Sequence, residues 1–227
     1  MLIRNIIVAC IILLILSPLL IAKEKHERSG FLENYPNFER NKETGAEVWF
    51  KSKKEGVKVL KPYRKILLSP VEIWLTESSH KGINPDALKA MTDYFTIALH
   101  EKLKYGYEFV DQPGPGVLHL RIAITNVTRT KPKRKWYGYV PVALVVSGAK
   151  KVAQSAAGET VDLVEASIEL EGLDSVSEER IVAAIDTHQS SKVKREKGSA
   201  NWTPMKEILD HWAEKISERM DEARGLL

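Results

Sequence analysis

The chain has 227 residues, enough for one domain with a full hydrophobic core behind a leader segment. Its 34 basic and 30 acidic residues leave a net charge of +4, and so small an excess does not indicate a nucleic-acid-binding protein. The single cysteine, Cys10, excludes a disulfide within the chain.

The leader is an apolar run at residues 6–22, between Arg4 and a charged stretch at 23–28. This pattern predicts a signal peptide or membrane anchor over residues 1–22, because a spanning helix needs at least about 17 apolar residues. Cleavage after Ala22 and retention of the run with Arg4 in the cytoplasm both agree with the sequence. Either outcome predicts that the rest of the chain lies at a membrane surface.

Cys10 ends the tetrapeptide Ile7-Val8-Ala9-Cys10, which has the form of a bacterial lipobox. Acylation there would add enough lipid for stable anchoring. The apolar residues before Cys10 are few, however, and the run continues far beyond it. The alternative is that Cys10 is simply an apolar residue of the leader.

The next segment, residues 23–62, is polar and charged with scattered aromatic side chains. Those are Phe31, Tyr35, Phe38, Trp49 and Phe50. Aromatic residues favour burial against a partner surface. The segment therefore predicts a polar linker that becomes an ordered arm near Phe31.

Regular patterns begin at residue 63. Residues 65–75 predict a strand in which Pro70 indicates an edge position or a bulge. Asn84 and Pro85 then predict a helix start, and Gly106 its stop. The helix carries apolar residues at helical spacing, namely Leu88, Met91, Phe95, Leu99 and Leu103.

Alternating apolar and polar residues predict a strand over 117–129 and a second over 164–172, which forms a hairpin with 180–188. The polar side chains of the second strand predict a solvated outer face, and they are Glu165, Ser167, Glu169 and Glu171. A closing helix begins at residue 203, and its apolar stripe is Met205, Ile208, Leu209, Trp212, Ile216 and Met220.

This order of elements predicts a single α+β domain over residues 63–227. We expect a mainly antiparallel sheet with helices packed on one face.

The motifs that resemble catalytic or cofactor sites are incomplete. His100-Glu101 lacks the second histidine of a zinc-protease helix, because Lys104 occupies its position. The glycines at 114 and 116 lead into a strand, so a bound phosphate would lack a helix N-terminus. We therefore expect no catalytic residue, no metal site and no cofactor.

Basic residues are followed by aromatic and then aliphatic ones over residues 129–146. The basic and aromatic members are Arg129, Lys131, Lys133, Arg134, Lys135, Trp136 and Tyr137. This order matches the layers of a bilayer approached from water, which are the phosphates, the interface and the acyl chains. The segment thus predicts a contact with a membrane or a protein partner, and the alternative is a solvated hairpin tip.

Six short segments together resemble one known family. They are SGFL at 29–32, YRKILLSPVEIW at 63–74, PGPGVL at 113–118, VSGAK at 146–150, EASIE at 165–169 and LDS at 173–175. The chain resembles, over nearly its whole length from Ser29, the bacterial envelope lipoproteins of domain-of-unknown-function family three-three-one-three. The resemblance implies an exported, mostly lipid-anchored protein of a Gram-negative bacterium, and it implies no activity. Members usually carry the lipobox cysteine shortly before the SGFL segment, where this chain has Ala22-Lys23.

We therefore expect a membrane-tethered, non-enzymatic protein on the periplasmic side of the bacterial cell envelope, with a soluble domain that binds a partner. The expected partners are an envelope protein or an anionic lipid, and nucleic acid is not among them. One alternative is a lipid-surface module that uses residues 129–146. The other is an enzyme on an envelope polymer, with Glu169, Glu171 or Glu72 among its carboxylates.

Overall fold

The computed structural model describes residues 28–42, 44–75, 85–129, 163–190 and 203–226. Within these ranges the chain forms one eight-stranded sheet and two α-helices. The strands are β1 (Glu39–Arg40), β2 (Glu47–Phe50), β3 (Lys65–Leu68), β4 (Glu72–Trp74), β5 (Glu108–Phe109), β6 (Val117–Arg129), β7 (Leu163–Asp174) and β8 (Arg180–Gln189). The helices are α1 (Pro85–Leu103) and α2 (Thr203–Arg224), and a short 3₁₀ helix spans Gly56–Leu60.

The sheet is mixed, with parallel pairs on one side and antiparallel pairs on the other. Its strand order is β1-β2-β8-β7-β6-β3-β5, and β4 also pairs with β6. β3 runs parallel to β5 and β6, and β4 runs parallel to β6. The prediction of a mainly antiparallel sheet was therefore wrong. The reason is α1, which lies between β4 and β5 and acts as the crossover that lets later strands run parallel to earlier ones.

The predicted strand at 65–75 is divided into β3 and β4 around Pro70. Leu68 pairs with Leu120, and Glu72 pairs with Ala123. The step from Leu68 to Glu72 is four residues, whereas the matching step on β6, from Leu120 to Ala123, is three. The segment between β3 and β4 therefore contains one extra residue. Proline has no backbone N–H to donate, which explains a bulge at this point.

Side-chain alternation along β6 divides the domain into two apolar clusters. Leu118, Leu120, Ile122 and Ile124 lie in the larger cluster with both helices, on what we call the inner face of the sheet. Ala123 lies in a smaller cluster on the opposite, outer face. That cluster also holds Phe31, Leu32, Ala183 and Ile185. The helices thus pack on one face, as predicted, and the N-terminal residues cover the other.

Both helices have the predicted buried stripe. On α1, Met91, Phe95 and Leu99 have no exposed surface. The indole of Trp212 on α2 packs edge-on against the ring of Phe95, with centroids 6.3 Å apart. Its Nε1–H donates a 3.0 Å hydrogen bond to Asp186 on β8, so this large side chain joins both helices to the sheet.

The turn between β7 and β8 is held by Asp174. Its Oδ1 accepts backbone N–H bonds from Val176 and Ser177, which lower the pKa of its carboxyl group. Its Oδ2 accepts a 3.1 Å bond from the hydroxyl of Tyr63. Burial and the neighbouring Asp174 carboxylate raise the pKa of Tyr63 from 10.0 to about 12.

This raised pKa predicts a loss of stability in alkali. The folded state favours the neutral phenol, so the contribution is complete below pH 10 and disappears as the pH rises to about 12. Two pKa units correspond to about 2.7 kcal/mol. Between pH 10 and pH 12 we expect the free energy of unfolding in urea to fall by about 2 kcal/mol less in Tyr63→Phe than in the unchanged protein. An equal decrease in unfolding free energy in the two proteins would show that the pKa of Tyr63 is not raised in the folded state.

Two glycines provide a matched test of core packing. A Cβ on Gly172 would lie 2.8 Å from Cγ1 of Val182 and 3.1 Å from Cδ1 of Leu118, whereas one on Gly114 would meet only Val117, at 3.9 Å. Gly172→Ala should therefore cost about 1–3 kcal/mol through overpacking. Gly114→Ala should be neutral, or stabilise by up to about 1 kcal/mol by restricting the unfolded chain. Thermal unfolding followed by circular dichroism measures both, and a neutral Gly172→Ala would refute the packing of this strand.

Candidate functional site

The outer face of the sheet is covered by residues 28–38, which we call the arm. Phe31 and Leu32 are buried, as expected for an ordered arm beginning near Phe31. The ring of Phe31 packs edge-on against Trp74 at 5.9 Å, and the guanidinium of Arg121 lies 5.1 Å from its centroid. The aromatic residues of this polar segment thus find their packing surface on the sheet.

Glu169 lies beneath the arm with no exposed surface. Its Oε1 accepts the backbone N–H of Ser29 at 2.8 Å, and its Oε2 accepts the hydroxyl of Tyr35 at 2.7 Å. That same Tyr35 oxygen accepts the N–H of Gly30 at 2.8 Å. The pKa of Tyr35 is raised, first by burial and then by the bond to Glu169. Glu169 therefore binds the arm to β7.

Glu171 is also buried, with 3% of its surface exposed, and it holds two arginines. Arg121 donates to Oε1 at 2.6 Å and Arg180 to Oε2 at 2.8 Å. Arg180 also donates to the backbone carbonyl of Asn34 in the arm at 2.5 Å. The prediction of a solvated outer face is wrong for Glu169 and Glu171, because alternation along a strand does not reveal whether water or a polar segment covers the polar side.

A third carboxylate fixes the start of the arm. Glu47 on β2 accepts a 2.6 Å bond from Arg28. The Arg28 guanidinium also lies 5.1 Å from the ring of Tyr35 and 4.8 Å from that of Phe38. Charge pairing and cation–π contacts therefore hold the arm at its first residue.

These contacts leave little scope for acid–base chemistry by the predicted carboxylates. Both oxygens of Glu169 and of Glu171 accept bonds from groups of this chain. Glu72 on β4 pairs with Ala123, which in turn pairs with Glu169, and it accepts a 2.8 Å bond from the indole of Trp74. All three glutamates therefore already accept hydrogen bonds from groups of this chain.

One hydroxyl–imidazole pair was not found from the sequence. Ser69 Oγ lies 2.8 Å from Nε2 of His119, and burial and the nearby Arg121 lower the pKa of that imidazole. Such a pair resembles a nucleophile and its base. Among the described residues, however, no carboxylate is hydrogen-bonded to the His119 ring to orient it. The pair joins residues 50 positions apart, so only the register of β3 and β6 could have revealed it.

An apolar groove opens on the inner face, between α2, the 3₁₀ helix and β2. Two helices, each about 10 Å wide, cover about four strands spaced about 4.8 Å apart. α1 contacts α2 and β4, while α2 reaches β7 and the 3₁₀ helix. Side chains of α2 also contact β8, but among the described residues no α-helix lies above β2. The space there has a volume of about 470 Å³.

The groove wall is apolar and the rim is charged. Half-buried wall residues include Val48, Phe50, Val57, Leu170, Ala184 and Ile216. The rim carries three exposed ion pairs, Lys53–Glu39 at 2.8 Å, Lys215–Glu218 at 2.6 Å and Arg219–Glu222 at 2.6 Å.

At one end of the groove the ring of His211 stacks on that of His188, with centroids 3.8 Å apart. Burial, and then the neighbouring His188, lower the pKa of His211. The described residues contain no cluster of three or more histidine, cysteine, aspartate or glutamate side chains suited to a metal ion.

Several residues predicted from the sequence lie outside the described ranges. They are Cys10, Lys131, Lys133, Arg134, Lys135, Trp136 and Tyr137. Arg129 is the last residue of β6. A membrane or partner contact by these residues, and lipid attachment at Cys10, therefore stay predictions. In the part of the chain that the structure describes, neither helix is long and apolar enough to cross a membrane.

Residues 27–216 match the family model described as "Protein of unknown function (DUF3313)". The chain belongs to this family. The resemblance predicted from the sequence is thereby confirmed, and the match includes the arm, the sheet and most of α2.

Two curated relatives carry the name "Uncharacterized lipoprotein YdcL", one from Escherichia coli (strain K12) and one from Escherichia coli O157:H7. Each is 25% identical to this family member over 188 residues, covering 82% of this chain and 81% of the relative.

Solved structures show more distant similarity. The PelC dodecamer from Paraburkholderia phytofirmans matches with a TM-score of 0.39 at 11% identity, covering 77% of this chain and 96% of that chain. A putative neuraminyllactose-binding hemagglutinin homolog from Helicobacter pylori matches with a TM-score of 0.37 at 13% identity, covering 73% and 90%. A DUF4136 family protein from Bacteroides thetaiotaomicron also gives 0.37, at 12% identity, covering 82% and 98%.

The buried and exposed ion pairs of this family member allow a matched comparison. Glu171→Gln leaves Arg121 and Arg180 facing a neutral partner in a mostly buried site, so we expect a loss of about 3 kcal/mol in unfolding free energy. Glu179→Gln makes the same chemical change in the exposed pair with Lys51 and should cost less than about 1 kcal/mol.

Urea denaturation measures the unfolding free energy of both variants. Limited proteolysis within residues 28–38 measures how firmly the arm is held. Cleavage there should become faster in Glu171→Gln only. Equal behaviour of the two variants would show that Glu171 does not hold the arm.

Proposed function

We propose that this protein is a membrane-tethered, non-enzymatic binding protein of the bacterial cell envelope, whose domain holds a partner on the periplasmic side. Membership of the family and similarity to an uncharacterised lipoprotein support the envelope location. The apolar run at 6–22 supports a tether at the N-terminus.

The groove is the observation that carries the binding role. Its volume of about 470 Å³ falls in the range of about 300–1,000 Å³ that is common for ligand sites. Its wall is mainly apolar while charged groups lie at the rim, which is also the usual composition of such sites. A filled core would not leave Phe50, Val57 and Ile216 partly exposed around one space.

The bonding of the carboxylates supports binding over catalysis. A general acid or base must reach a substrate proton within about 3 Å. Glu169 and Glu171 are covered by the arm, and their oxygens already accept bonds from the arm and from arginines. They stabilise the fold, and the enzyme alternative loses its two strongest candidates.

The two faces of the sheet separate tethering from binding. Arg28, the first described residue after the leader, lies on the outer face, whereas the groove opens mainly on the inner face, although Asn37 of the arm also lines it. A tether attached on one side leaves the opposite side accessible to a partner. The arm therefore supports a domain that presents its groove away from its own attachment point.

The basic and aromatic segment at 129–146 supports a second candidate, a lipid-surface module. Its basic residues precede aromatic and aliphatic ones, as expected for contact with an anionic bilayer. This contact would add to the N-terminal tether, and it does not require the groove.

Site-specific photo-crosslinking in intact cells tests the binding role. We expect the full-length protein with a photo-crosslinking residue in place of Val57, on the groove wall, to form a discrete adduct after irradiation. The control replaces Ile97, which is 61% exposed on α1 and distant from the groove lining, and should form none. Identical products from both positions, or none from Val57, would reject the groove as the binding site.

A further inference from the structure

We propose that the groove binds a single long acyl chain that ends in an anionic headgroup, such as a fatty acid. This inference rests on the binding role proposed above and names the chemistry of the occupant. It follows from the size of the groove, from its lining and from the placement of its charges.

The size of the groove favours a slender occupant over a whole helical peptide. A helix about 10 Å wide has a cross-section of roughly 80 Å², so about 470 Å³ would hold only about 6 Å of it, or about four residues. The same volume accommodates about 15 heavy atoms at about 30 Å³ each, which is the share of one water molecule in the liquid. A single acyl chain of about that length fills the space.

The apolar depth of the groove favours methylene groups over a polar ligand such as a sugar. The depth of the groove is formed by buried aliphatic side chains of the sheet, including Leu118, Leu120 and Ile168. Asp186 also lines it, and Oδ2 of that carboxylate accepts the indole N–H of Trp212. Sugar hydroxyls beside the aliphatic side chains would lose their bonds to water, whereas methylene groups gain from leaving water.

The charges at the rim fit an anionic headgroup. Lys215 and Arg219 lie one turn apart on α2 and both line the groove, and Lys53 lines it from the segment before the 3₁₀ helix. Each of these cations is paired with a carboxylate that is itself about half exposed. Such exposed pairs are weak, so a carboxylate or phosphate at the end of a buried chain can replace them.

Photo-labelling of the full-length protein in phosphatidylcholine nanodiscs tests the proposal. The probes are a palmitic acid with a diazirine in its chain and the matching long-chain alcohol. We expect the acid to label peptides that contain the 3₁₀ helix and residues 211–222 of α2, and unlabelled palmitic acid to compete with it. Labelling of residues 1–22 by probe dissolved in the bilayer serves as an internal reference.

Filling the groove should remove this labelling. Ala184→Phe places a ring against Leu170 and Val48, its cross-strand neighbours, and should reduce labelling of the groove peptides by at least tenfold for both probes. Ile97→Phe adds the same ring on the exposed face of α1 and should change nothing. If Ala184→Phe does not give a cooperative thermal transition, Val57→Trp on the opposite wall replaces it.

Neutralising two cations of the rim tests the role of the headgroup separately from that of the acyl chain. Lys215→Gln combined with Arg219→Gln should lower labelling by the acid about fivefold, as expected for two exposed charge pairs, and leave the alcohol within twofold. Unchanged labelling in the filled variants would overturn the proposal. A protein adduct from Val57 in cells without acyl labelling would keep the groove as a binding site and reject the acyl chain as its occupant.

Discussion

Glu169 and Glu171 lie on the outer face of β7 almost without contact with water, and an ionised carboxylate in such a place is stable only when it is fully paired. The arm supplies the N–H of Ser29 and the hydroxyl of Tyr35 from far along the chain. The neighbouring strands supply Arg121 and, across the β7–β8 hairpin, Arg180. Removing the arm would expose Ala123, Ala183 and Ile185 on the sheet and leave Glu169 without its donors. The central sheet and the N-terminal segment therefore stabilise each other.

The two faces of the sheet achieve burial by different means. The inner face is apolar and is covered by α1 and α2, while the outer face combines apolar side chains with charged groups that are specific to one arrangement of the arm. Charged pairs tolerate few alternative geometries, so they fix the arm in register. The apolar inner face is less restrictive, and where the helices do not reach, it leaves the groove.

Local periodicity predicted the elements well and their assembly less well. Both helices and the β7–β8 hairpin follow from spacing within single segments, and so does the burial of Phe95 and Trp212. The parallel pairing of β3 and β4 with β6 depends on a crossover, which no local pattern contains. The same limit applies to the groove, whose lining comes from five strands, the 3₁₀ helix and α2. The burial of Glu169 and Glu171 had one visible signal, the aromatic residues of an otherwise polar segment at 31–38.

The contact between Ser29 and Glu169 spans 140 positions of the chain, and this separation sets an order in time. A chain that emerges with its N-terminus first exposes the arm long before β7 exists to bury it. The arm is consequently exposed to solvent and to proteases until β7 and β8 have formed. Phe31 and Leu32 can therefore be buried only after most of the chain has been synthesised.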